Sequence, residues 1–91
     1  EQYLAVNDTE GPNAEAFCGL GVISYYQKRY EDAFSLFVES IKLNPILPDT
    51  FLNLLDAARA CNKVEDARRI YNVYAKEFPS LASIAADFEA S

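Results

Sequence analysis

The 91-residue chain carries 14 acidic and 8 basic side chains, no histidine and a net charge of −6, and 51% of its residues are hydrophobic. That apolar fraction supports a packed core rather than disorder, and the length suffices for one small domain. The acidic balance repels phosphates, which argues against nucleic acid and membrane surfaces as partners, and no stretch approaches the ~18–20 apolar residues of a membrane span.

Residues 1–12 read as the end of a preceding helix and a linker. Tyr3 stands in the register later taken by Phe37 and Tyr71, and Gly11 in that of Pro45 and Pro79. A first helix is predicted over 14–27, with Asn13 as N-cap after Pro12 and Glu15 in the dipole-favoured first turn. Phe17, Leu20, Gly21 and Ser24 form its narrow inner face. Lys28-Arg29 is a turn into a second helix over 30–43, striped by Tyr30, Ala33, Phe37 and Ile41. It closes at Asn44-Pro45, because proline disfavours helix in the residue before it.

Asp49 is expected to cap a third helix running to about Cys61, with Phe51, Leu54, Leu55 and Ala58 inward. After an Asn62-Lys63 turn a fourth helix spans 64–78, with Val64, Ala67, Ile70, Tyr71 and Tyr74 inward. Glu65 and Arg69 stand four apart on its outer side, in the favourable order for an ion pair. A fifth helix over about 80–90 takes Ser80 as N-cap and turns Leu81, Ile84, Ala85 and Phe88 to one side.

The two helix pairs superimpose at a spacing of 34 residues: Phe17 on Phe51, Leu20 on Leu54, Ala33 on Ala67, Phe37 on Tyr71 and Pro45 on Pro79. Such a period marks stacked helix pairs, none of which buries its apolar face alone. The expected fold is therefore all-α, built from antiparallel helix-turn-helix repeats. Phe88 continues the register of Leu20 and Leu54, but Glu89 falls where Gly21 and Leu55 stand, so the last helix reads as a cap.

The pattern Phe17…Leu20-Gly21…Tyr25…Ala33…Phe37…Pro45 resembles the tetratricopeptide repeat family, whose signature sets an aromatic, a Leu-Gly pair, an Ala, an aromatic and a closing Pro over 34 residues. The resemblance implies two repeats (13–45 and 46–79), a capping helix over 80–91, and stacking as a short right-handed superhelix. Leu55 departs from the small residue that the family prefers at the position of Gly21, which is expected to loosen the second pair.

In that family the first helix of each pair lines a concave surface that holds a polypeptide. The implied partner-binding stripes here are Cys18, Val22 and Tyr25, beside Leu52, Asp56 and Arg59, each spaced four then three. A plainer reading stands beside this one. Asp56 and Arg59 pair with each other in solvent, Cys18, Val22 and Leu52 are covered by neighbouring helices, and Tyr26, Arg68, Arg69 and Lys76 are solvated surface. Family members that clamp the acidic tails of chaperones use Lys, Asn and Arg. Cys18, Val22, Leu52 and Asp56 stand at those positions and supply no cation, so such a tail is not an expected ligand.

Nothing points to catalysis. The commonest general base is missing, Gly19 and Gly21 lie inside a helix rather than in a phosphate loop, and Glu31-Asp32 and Glu65-Asp66 complement helix dipoles. Cys18 and Cys61 stand nine residues out of register, about 13 Å along a helix axis, so a disulfide or zinc site is not expected. Reduced thiols favour the cytoplasm. No cofactor is implied.

The expected function is a non-catalytic module that binds a protein or peptide segment. Two alternatives stay open: self-association into a homo-oligomer, since two repeats fall short of the usual three, and an accessory segment of a larger enzyme such as a bacterial glycosyltransferase. The start at Glu1 and the part-repeats at both ends suit an excised piece. The related pentatricopeptide type has a longer period and a basic surface, which the Ala33–Ala67 spacing and the net charge disfavour.

Overall fold

The computed structural model describes residues 13–89, so the expectations for residues 1–12 and for Ala90 lie outside the described residues. Among the described residues five α-helices follow one another: α1 (Ala14–Tyr26), α2 (Tyr30–Leu43), α3 (Pro48–Cys61), α4 (Val64–Ala75) and α5 (Ala85–Glu89), with a 3-10 segment over Pro79–Ile84 before the last. The described residues form no strand, and no helix among them is long and apolar enough to cross a membrane.

The helix starts follow from local chemistry. Asn13 is extended, and its side chain accepts a hydrogen bond from the Ala16 N–H at 2.8 Å, as an N-cap should. The turns after α1 and after α3 each contain a residue in the left-handed region, Lys28 and Asn62, both at φ 65°. These two residues stand 34 apart, so the two turns share a backbone device as well as a register. Asp49 does not cap α3: Leu47 holds the cap position and Pro48 opens the helix, its fixed φ suiting the first turn. Asp49 instead adds negative charge to that turn.

The chain departs most from expectation after α4. That helix ends at Ala75, short of 78. The residues expected to begin a fifth α-helix form the tighter 3-10 turn, preceded by Phe78 in extended conformation. Ser80 is not an N-cap; its hydroxyl donates to the Ile46 carbonyl at 3.5 Å. Local and tertiary hydrogen bonds hold this form. Ala85 N–H bonds the Ala82 carbonyl, and the Leu81 carbonyl accepts from the buried Tyr71 hydroxyl at 2.7 Å.

One core joins α2, α3, α4 and the C-terminal segment through Ala33, Phe37, Ile41, Phe51, Leu54, Leu55, Ala67, Tyr71, Leu81, Ile84 and Phe88. Tyr71 stacks on Phe88 (4.4 Å, 10°) and meets Phe51 edge to face, which ties α5 to the centre of the molecule. Phe34 and Ala57 are buried as well, outside the expected stripes. Phe17 and Leu20 are only half-buried, unlike their counterparts Phe51 and Leu54. Among the described residues α1 rests chiefly on α2 and only thinly on α3, whereas α3 is enclosed by α2, α4 and the 3-10 segment.

A buried hydrogen bond joins the α1–α2 pair at one end: Ser40 Oγ donates to the Ala14 carbonyl at 2.7 Å. The α1–α2 contact is far more intimate than the α3–α4 contact, as the exchange of Gly21 for Leu55 at equivalent positions anticipates. On the outer face of α4, Arg69 pairs with Asp66 at 3.2 Å rather than with Glu65. The short aspartate one turn back lies within reach of the guanidinium.

Candidate interaction trough

α1 and α3 meet side by side at Cys18. Its sulfur accepts long hydrogen bonds from Asn53 Nδ2 (3.7 Å) and Thr50 Oγ1 (4.0 Å). Cys18 is thus a contact between helices, half-buried, and both cysteines are free thiols. Beyond that contact, toward the C-terminal end of α1, the two helices enclose a small concavity of about 90 Å³. Val22, Tyr25 and Tyr26 line it from α1, Asn53 and Asp56 from α3, and Phe37 from α2.

Of the six residues singled out from the sequence, Val22, Tyr25 and Asp56 come together around this space. Cys18, at the α1–α3 contact, and Leu52 are packed against the core and do not line it. Arg59 stands off its edge, with its guanidinium 3.7 Å from the Asp56 carboxylate and both side chains about half exposed. Asn53 was missed, although it stands three residues before Asp56 and so shares its face. Tyr26, which the resemblance places on the concave face and the plainer reading leaves as solvated surface, is largely exposed and lines the concavity. Its place four residues after Val22 carried that signal.

The aromatic geometry is specific. The Tyr25 ring meets Tyr26 at 83° with centroids 5.9 Å apart, and meets Tyr30 at 68° and 5.3 Å. Edge-to-face contacts of this kind stabilise aromatic clusters. Phe37, which also lines the concavity, is almost fully buried.

A larger apolar groove of about 490 Å³ lies between the second helices of the two pairs. Phe34 and Val38 of α2 face Ile70 and Val73 of α4 across it. Local pattern does not reveal this groove, because its residues stand on two helices far apart in the chain and form one surface only when those helices pack.

Among the described residues two groups have shifted ionisation, neither in the trough. Burial pushes the Cys61 thiol up, with Lys63 drawing it partly back. Burial likewise raises the Tyr71 phenol, and Glu89 adds to the effect. A thiol so placed stays protonated at neutral pH and is a poor nucleophile. No group of three His, Cys, Asp or Glu side chains among the described residues could hold a metal ion. What the trough offers is two tyrosines, a carboxylate and an amide, an arrangement suited to holding a side chain. Compared with family models and with curated proteins, the chain matches none.

Proposed function

We propose that this chain is a non-catalytic protein-interaction module of the tetratricopeptide repeat type, which holds a segment of another polypeptide along the trough between α1 and α3. The observation that carries this reading is the convergence of Val22, Tyr25 and Asp56 from two adjacent helices on one concavity. The 34-residue relation between Lys28 and Asn62, and between the fully buried Ala33 and Ala67, supports a division into repeats at 13–45 and 46–79 with a cap over 80–91. A right-handed superhelix is the stacking proposed for them. The two free thiols suit a cytoplasmic setting.

The test is a pull-down with the wild-type chain beside Tyr25→Ala and Asp56→Ala variants whose helicity is verified by circular dichroism. A partner retained equally by all three sinks the reading. Self-association is the second reading, favoured by the α2–α4 groove and by Val73, which is 63% exposed at its rim. Sedimentation at rising concentration decides it: a monomer throughout removes the homo-oligomer.

A further inference from the structure

We propose that the concavity between α1 and α3 seats one lysine or arginine side chain of the bound polypeptide, an inference that rests on reading the trough as the partner surface. Two tyrosine rings, Tyr25 and Tyr26, set at 83° to one another, are among its lining residues. Ring faces carry the negative part of the aromatic quadrupole and attract cations.

The polar groups agree. Asp56 contributes a carboxylate. Asn53 donates its amide N–H to Cys18, which leaves its carbonyl oxygen as an acceptor. No basic side chain lines the space, and Arg59 reaches Asp56 only from outside it, so an entering anion meets a carboxylate, whereas an entering cation meets a carboxylate, an amide oxygen and two tyrosines. The net charge of −6 adds a long-range attraction of the same sign.

Size narrows the occupant. The concavity is small, about 90 Å³, which suits the end of one side chain rather than a stretch of backbone. Arg59 is the internal competitor, but its 3.7 Å pairing with Asp56 joins two half-exposed groups and is weak. An incoming cation can therefore share or take over the carboxylate.

The test selects twelve-residue peptides from a random displayed library on the 91-residue chain, then measures the winners by fluorescence anisotropy against wild type, Asp56→Asn, Tyr25→Ala and Arg59→Ala. The expected winners share one Lys or Arg. Changing it to Met weakens binding about 5–20-fold, Asp56→Asn weakens it by a similar factor without adding to the first loss, and added salt weakens it further. Arg59→Ala leaves binding equal or tighter. Winners that share no basic residue yet are lost on Tyr25→Ala overturn the cation seat and keep the trough. Winners indifferent to both Tyr25→Ala and Asp56→Asn, or a selection that yields no binder, overturn both.

Discussion

The ring of Phe37 fills the space over Gly21 where any other residue would carry its side chain: a Cβ built on Gly21 would lie 2.6 Å from Phe37 Cε1 and 2.8 Å from Cδ1. α1 and α2 approach closely because this one position is empty. Phe37 also lines the trough, so the core contact and the candidate site share a residue.

Gly21→Ala should therefore destabilise the chain although alanine is the better helix former. Alanine gains about 1 kcal/mol of helix propensity. Overpacking against a ring that is 1% exposed typically costs about 1–3 kcal/mol, and a contact of 2.6 Å lies at the severe end. A net loss of about 1–2 kcal/mol is expected in urea denaturation. Gly21→Ala with Phe37→Leu should recover part of it. A single variant as stable as wild type would show that the ring moves aside freely.

The second test concerns the hydroxyl of Ser40, which reaches across from α2 to the Ala14 carbonyl. Ser40→Ala removes a buried bond of 2.7 Å without changing the packing much, so a loss of about 1–2 kcal/mol is expected. Asn13→Ala acts at the same end of α1 by removing the cap, with an expected loss of about 1 kcal/mol. Because both hold one helix end, the double variant should lose less than the sum.

The helix pairs were legible because two periodicities reinforce one another. Helical spacing fixes which side chains share a face, and the 34-residue repeat says that Ala33 and Ala67, or Phe37 and Tyr71, must share a role; all four are buried. Register does not say what lies on the far side of a helix, which is why Phe17 is less covered than Phe51. The segment after Pro79 was misread because its form depends in part on the Tyr71–Leu81 hydrogen bond, made across ten residues and invisible to local pattern. In the trough, Val22, Tyr25 and Asp56 were implied by the family resemblance together with helical spacing, whereas the role of Asn53 depends on where Cys18 of another helix stands.

Alkaline pH probes Tyr71. Its phenol keeps its proton above the ordinary value of 10.0 in the fold, first because it is buried and then because Glu89 is near. Above pH ~10 the unfolded chain then binds fewer protons than the native one, so stability falls as pH rises. The contribution is fully present below the unfolded pKa and is lost as pH climbs through the raised native one. Cys61, raised above 9.0, acts with the same sign. Tyr71→Phe should be less stable at pH 7 by about 1–2 kcal/mol, since the Leu81 carbonyl loses its donor. Its decline between pH 9 and 11, followed by urea midpoints, should be shallower than that of wild type. Parallel curves would mean that Tyr71 ionises alike in both states.

Lys28 and Asn62 make the same left-handed turn with unequal ease. Both have φ 65°, a region that crowds a Cβ against the backbone, and asparagine tolerates it better than lysine. Lys28 bears a strain of about 1–2 kcal/mol, partly recoverable by a residue without a Cβ. Glycine surrenders some backbone entropy on folding, so Lys28→Gly should raise stability by a net amount of about 0.5–1 kcal/mol, and Lys28→Asn by somewhat less. The reverse change, Asn62→Lys, should lower stability by a similar amount. Lys28 is exposed and does not line the trough, so peptide binding by Lys28→Gly should match wild type. A fall in the urea midpoint of Lys28→Gly would show that its side chain contributes more to the turn than its backbone strain removes.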